Sequence, residues 1–300
     1  MRITAVIVTY NRFDMLTETV DKVLGQSTGC DALIIDNGST DGTGSYIKER
    51  YGSDPRVIYV NTGENLGGAG GFNRGVREAL DRGYDALWLM DDDCFTEEDS
   101  LSKLAEAHAA LSGRYGWLSS RCLWKDGTIC NMNVQRVSPY KDADMESGGL
   151  VRAEMASFVS LFLPADTVRK YGLPIKEFFI WGDDWEYTRR ISLKEPCYIV
   201  NDSVVIHAMG SNTVVSIAED TPDRLHRYAY AYRNDVYLYR REGIRGWLWI
   251  ICKDLWHSFK VLIKDTKNSK KKISVIWRGF SEGVRFRPGT EDYEDEKSVR

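Results

Sequence analysis

The chain opens on a mostly apolar run at residues 3–9 and then alternates short apolar runs with amphipathic stretches. Short apolar runs bounded by turn signals read as buried strands. Such runs fall at residues 3–9, 32–35, 57–60 and 86–90. Between the first two, Leu16, Val20, Val23 and Leu24 recur at helical spacing and predict a helix over 13–24 with one buried face. Helices are expected in the other intervals too, and strand–helix alternation is the pattern of a largely parallel sheet in a nucleotide-binding α/β fold. In such sheets ligands bind beyond the carboxyl ends of the strands. Each of these runs ends in polar residues: Thr9-Tyr10-Asn11-Arg12, Asp36-Asn37-Gly38, Asn61 and Asp91-Asp92-Asp93.

After Gly113 the pattern loosens. An apolar run at 158–164, an aromatic and acidic stretch at 178–187 and a strand candidate at 198–206 follow, with no internal repeat. From about Thr221 the chain reads as helical and basic. This predicts a catalytic domain over 1–220, with halves near 1–112 and 113–220, and a C-terminal region over 221–300. A hydrophobic content of 43% in 300 residues suffices for one substantial α/β core with an appendage.

Net charge is −4, but residues 240–287 hold 13 Lys/Arg against 4 Asp/Glu, an excess of +9 that leaves −13 on the rest. A basic segment on an acidic body calls for an anionic partner of that segment alone, either nucleic acid or a membrane surface. The six cysteines show no CxxC pair, so neither a zinc site nor a disulfide framework is expected, and a reducing cytosol fits. No apolar run is long enough to span a bilayer, so a soluble or peripheral protein is expected.

Asp91, Asp92 and Asp93 surface together at the end of the 86–90 run. Their repulsion needs a cation or strong hydrogen bonds to offset it, and a divalent metal bridging a diphosphate supplies one. A solvated, capped helix start accounts for residues 96–99 but not for a triple acid at a strand end. In Trp181-Gly182-Asp183-Asp184-Trp185-Glu186, indole rings stand beside carboxylates. That composition suits a sugar site with a general base, as well as an acidic turn edged by core aromatics. His207 ends the apolar run 204–206 and is either a structural histidine or a further metal ligand. The glycine-rich stretch 67–71 opens a helix whose N-terminus can approach phosphate, although it does not match a dinucleotide fingerprint.

Taken in order, these motifs resemble the family 2 glycosyltransferases of the GT-A fold. They comprise residues 5–12, 35–42, 64–72, the triple aspartate, 181–186 and His207, and they span about 200 residues. The stretch 64–72 with Met90-Asp91-Asp92-Asp93 and a later Asp183-Asp184 looks most like bacterial galactofuranosyltransferases, with rhamnosyltransferases as near relatives. The resemblance implies a GT-A-type sheet flanked by helices, followed by a helical, basic C-terminal extension. It implies that Thr9, Arg12 and Asp36 hold the nucleotide, with Asp36 accepting from the uracil N3–H and with Asn65 and Asp92 also on the donor. Asp91, Asp93 and His207 would bind Mn²⁺ or Mg²⁺, and Trp181, Trp185 and Glu186 would meet the acceptor. Asp184 would be the general base, with Asp183 as its alternative.

The activity so implied is inverting transfer of a sugar to a glycan or lipid-linked glycan hydroxyl, in cell-surface polysaccharide synthesis at the inner face of the cell membrane. UDP-galactofuranose is the expected donor and dTDP-rhamnose the alternative; no nucleic-acid partner is expected. A nucleotidyltransferase would need a basic glycine loop near the N-terminus, which the sequence lacks. A non-catalytic saccharide-binding protein or scaffold is the reading from another class.

Overall fold

The computed structural model describes residues 1–214 and 216–293. Four strands, β1 (Ile3–Thr9), β2 (Asp31–Asp36), β3 (Val57–Asn61) and β4 (Ala86–Asp91), pair in parallel in the order β3-β2-β1-β4. They alternate with helices α1 (Phe13–Leu24), α2 (Thr43–Tyr51) and α3 (Gly67–Asp81). Successive side chains of β1 point to opposite faces of the sheet. Ile3, Ala5 and Ile7 pack with Leu16 and Val20 of α1, while Val6 and Val8 pack with Phe72 and Val76 of α3. Both faces of the strand are therefore covered, which explains why Ala5 to Val8 are apolar at consecutive positions rather than alternating with polar residues.

The second half continues the same sheet instead of forming its own. After β5 (Cys94–Thr96) and α4 (Ser100–Ala110) come β6 (Leu118–Trp124), the short β7 (Arg136–Ser138), β8 (Lys141–Asp142) and β9 (Leu150–Arg152), and then β10 (Leu161–Pro164). They are followed by α5 (Ala165–Tyr171), α6 (Asp183–Ser192) and β11 (Tyr198–His207). The sheet has nine strands and runs β3-β2-β1-β4-β10-β6-β11-β5, with β9 pairing on β11 and with β7 and β8 forming a separate two-stranded ribbon. Strand β10 is antiparallel to both β4 and β6, and β5 is antiparallel to β11. The parallel sheet expected from the first half is found in β1–β4, and the strands of the second half make the whole sheet a mixed one. The antiparallel pair β5–β11 sets His207 opposite Cys94, one residue from Asp93.

Helices α7 (Leu225–Arg240), α8 (Gly243–Lys264) and α9 (Ser269–Arg285) pack on one another but also share cores with the sheet domain. Met155 packs with Val236, Leu238, Tyr239 and Ile250, while Ala69 and Phe178 pack with Tyr237. The polypeptide then returns to the first half, where Glu291 pairs with Arg77 of α3 and its carbonyl accepts from Leu173 N–H. No described helix is long and apolar enough to cross a membrane.

Candidate active site

The acidic triplet lies where β4 turns into β5, and each carboxylate has a distinct environment. Asp92 accepts from Thr9 Oγ1 at 2.7 Å and its backbone carbonyl accepts from Thr19 Oγ1 of α1, so the turn is tied to both β1 and α1. Arg12 spans two of the acids, with Nη1 2.9 Å from Asp92 and Nη2 2.6 Å from Asp93. His207 Nε2 lies 3.0 Å from the other oxygen of Asp93, and its Nδ1 lies 2.8 Å from Asn133 Oδ1. An acceptor oxygen on each edge fixes the imidazole plane. Asn133 is held in turn by its amide donating to Ser157 Oγ at 3.0 Å.

Burial pushes Asp92 up to about 7 against the pull of Arg12. Burial and the charge of Asp93 push Asp91 up to about 6. At Asp93 burial also acts upward, but His207 and Arg12 outweigh it and hold this carboxyl below its usual range. His207 shows the mirror effect: burial lowers it, and contact with Asp93 more than compensates. The cluster therefore demands positive charge.

One ligand atom each from Asp91, Asp93 and His207 lies within 4.8 Å of the other two. Two hard carboxylate oxygens and an imidazole suit Mg²⁺ or Mn²⁺, with positions left for phosphate oxygens. Cys122 and Cys130 also come within reach of His207, with Cys130 Sγ 4.0 Å from Nδ1. Cys130 is on the Nδ1 edge, opposite Asp93, and a thiol pair with an imidazole would suit a softer ion. Their proximity has no counterpart in the cysteine spacing of the sequence.

Across from the triplet, α6 begins with Asp183 and Asp184. Burial pushes Asp183 up to about 7, and burial with the charge of Asp183 pushes Asp184 well above the carboxylate range; the charge of Asp91 raises both. The turn that delivers them is strained. Phe179, Trp181 and Gly182 have φ of 65°, 63° and 85°, a region that bulky side chains rarely enter. It is held from two directions. Asn234 of α7, buried, donates its amide to the carbonyls of Phe178, Ile180 and Trp181 at 3.0, 3.1 and 2.7 Å. From the other side, Ala69 N–H of the glycine-rich turn donates to the Phe179 carbonyl at 3.2 Å. A Cβ on Gly67 would lie 2.1 Å from that same oxygen, so glycine is required there for this close approach.

The remaining expected residues are distributed as follows. Asp36 is fully buried, accepting from Tyr59 Oη at 2.5 Å and from Ser39 N–H at 2.8 Å. Asn65 is exposed and accepts from Gly67 N–H. Trp181 packs edge-on against Tyr228, and Trp185 lies under the Arg136 guanidinium. Glu186 was expected to meet the acceptor. It is 2% exposed and its carboxylate is engaged by Arg190, one turn further along α6. The sequence reading missed Asn133, Asn234 and Tyr59. No local motif marks them, since each acts on a residue that only the fold brings near.

Residues 4–112 match the model of glycosyl transferase family 2. The galactofuranosyltransferase GlfT1 of Mycobacterium tuberculosis is 28% identical to this chain over 84% of it and 91% of that protein. Among solved structures, the mannosyltransferase PcManGT of Pyrobaculum calidifontis, in complex with GDP-mannose and Mn²⁺, superposes with a TM-score of 0.58 at 14% identity, covering 95% of this chain and 76% of that one. S. aureus TarS in complex with UDP-GlcNAc gives 0.53 at 13% identity, covering 95% and 73%. The protein is a glycosyltransferase of the GT-A fold. Its first 112 residues carry the family 2 domain.

Proposed function

We propose that this enzyme transfers galactofuranose from UDP-galactofuranose to a hydroxyl of a glycan or lipid-linked glycan, with inversion at the anomeric carbon, in the building of a cell-surface polysaccharide. The observation that carries the reading is the convergence of Asp91, Asp93 and His207 with Asp183-Asp184 at one edge of the sheet. The similarity to galactofuranosyltransferases over most of the chain supports this choice of sugar.

In this reading Thr9 and Arg12 organise the acidic turn on the donor side, and the Asp36 loop with Asn65 borders the nucleotide. Asp91, Asp93 and His207 would hold a divalent cation, which supplies charge neutralisation for the departing diphosphate. Asp184 takes the acceptor proton as the acceptor oxygen forms its bond to the anomeric carbon and the bond to the UDP oxygen breaks. Burial and the neighbouring Asp183 raise the proton affinity of Asp184, which strengthens it as a base. Trp181 and Trp185 offer ring faces for the acceptor sugar.

A donor screen with UDP-galactofuranose, UDP-galactose, UDP-glucose and dTDP-rhamnose, read as nucleoside diphosphate release in the presence of Mn²⁺, tests the assignment. Release from UDP-galactofuranose well above the others is expected. Preference for dTDP-rhamnose would replace the sugar and keep the chemistry, and absence of release and of metal-dependent UDP binding would leave a non-catalytic protein.

A further inference from the structure

Helix α8 carries two apolar stripes where a packed surface helix needs one. The inner stripe, Gly246, Ile250 and Val261, is buried against the neighbouring helices. The outer stripe, Leu248, Leu255, Phe259 and Leu262 with Trp256 and Ile263 beside it, is between 51% and 64% exposed. Its spacing of three, four and seven residues makes it continuous along the helix. Lys260 lies over the Trp256 ring at 5.4 Å; beyond the end of α8, Lys267 in the link and Lys270 and Lys271 in the first turn of α9 are exposed and without ion-pair partners among the described residues. Part of the basic run is used internally: Lys272 is buried against Asp265, Lys253 pairs with Asp235 and Lys264 pairs with Glu219.

We propose that the outer face of α8 seats on an anionic lipid surface. Tryptophan and phenylalanine on an apolar face, with lysine at its rim, match the boundary between headgroups and acyl chains. The helix cannot span, so it lies in that boundary. Charge selects one orientation, because an anionic surface attracts the +9 segment and repels the −13 of the remaining chain.

The seat also borders a cleft whose lining includes a sequence neighbour of the proposed base. This cleft of about 340 Å³ is lined by Trp185, which follows Asp184 in sequence, by Tyr140 and Tyr239, and by Trp249 and Lys253 of α8. Trp249, 44% exposed, borders both this cleft and the outer face. An acceptor anchored in the lipid would enter between α8 and Trp185. That use rests on the reading of the acceptor as lipid-linked, whereas the docking itself does not.

The test is co-sedimentation of the full chain with phosphatidylcholine vesicles, alone and with about a third phosphatidylglycerol. The paired substitution Leu255→Glu and Phe259→Glu replaces two side chains that are more than half exposed, so the fold is kept, as thermal unfolding and UDP affinity will verify. The wild type is expected to pellet with anionic vesicles at low salt and far less with neutral ones, and the bound fraction should fall about tenfold or more in the double variant. A wild type that stays in the supernatant overturns the proposal, as does a double variant that pellets equally. A wild-type dimer that the double variant dissociates, with no vesicle binding by either, also overturns it and makes the face a contact between copies. Vesicle binding by a protein that fails the donor screen supports the docking and sinks only the catalytic reading.

Discussion

The side-chain amide of Asn234 donates a 2.7 Å hydrogen bond to the backbone carbonyl of Trp181, joining a C-terminal helix to the turn that delivers Asp184. The same amide reaches the carbonyls of Phe178 and Ile180, so one side chain restrains a turn with two aromatic residues in the left-handed region. Its removal frees the turn to relax and shifts Asp184, the proposed base, from its place. Asn234→Ala should lower kcat about 10- to 100-fold while UDP affinity stays within about twofold. Steady-state kinetics beside calorimetric titration with UDP and Mn²⁺ reads both. Equal loss of UDP affinity would show that the turn serves the donor instead.

Asn133 fixes the edge of His207 opposite Asp93. Partners of this kind, beyond the ligands themselves, typically contribute 10- to 100-fold in metal affinity. Asn133→Ala is therefore expected to weaken Mn²⁺-dependent UDP binding by about tenfold or more and to leave metal-free binding unchanged. Calorimetry with and without Mn²⁺ checks it, and an unaltered metal dependence would make His207 a structural residue.

Gly67 and Gly68 are adjacent but differ in what a methyl group would meet. At Gly67, with φ of 72°, it collides with the Phe179 carbonyl, whereas nothing lies within 4 Å at Gly68. Gly67→Ala should cost about 2 kcal/mol or more, and Gly68→Ala should be neutral or mildly stabilising. Urea denaturation of the two variants separates them. Similar losses in both would remove the close approach between the glycine-rich turn and the 178–182 turn from the account.

Asp254 is fully buried in the C-terminal helices and both of its carboxyl oxygens lack a hydrogen-bond partner. Burial pushes it up to about 7, with Lys253 pulling down and Asp235 pushing further up. Its folded value exceeds the unfolded one, so the folded chain binds the extra proton. Stability from this group is full below about pH 4, declines as pH rises to about 7, and is flat beyond. Asp254→Asn cannot ionise and should be more stable than wild type at pH 8 by about 2 kcal/mol, with the gap closing toward pH 4. Thermal unfolding at the two pH values reads the difference, and a gap independent of pH would deny the titration.

Much of the first half was legible because its elements are local. The 3–9 run reads as a central strand, since the consecutive apolar residues Ala5 to Val8, with Ile3, satisfy both faces of a sheet. The triple aspartate then falls at a strand end by the same argument. The mixed sheet was not legible: β10 is only four residues long, and its antiparallel pairing with β4 depends on a long connection rather than on a periodicity. Glu186 misled for a related reason. Adjacent residues at a helix start point to different sides, and only the fold shows that Glu186 is buried where Arg190 reaches the carbonyls of Tyr171 and Leu173. The membership of Asn234 in the site lies 53 positions from Trp181 and leaves no mark in either segment.

The role of Asp184 as the base that takes the acceptor proton bears most directly on the whole account. The decisive measurement is the turnover of Asp184→Asn with UDP-galactofuranose and a glycan acceptor, taken beside its affinity for UDP in the presence of Mn²⁺. Loss of a general base should lower turnover about 100-fold or more, with UDP affinity nearly intact because the amide leaves the metal and diphosphate contacts in place. Retention of more than about a tenth of wild-type turnover would contradict the account.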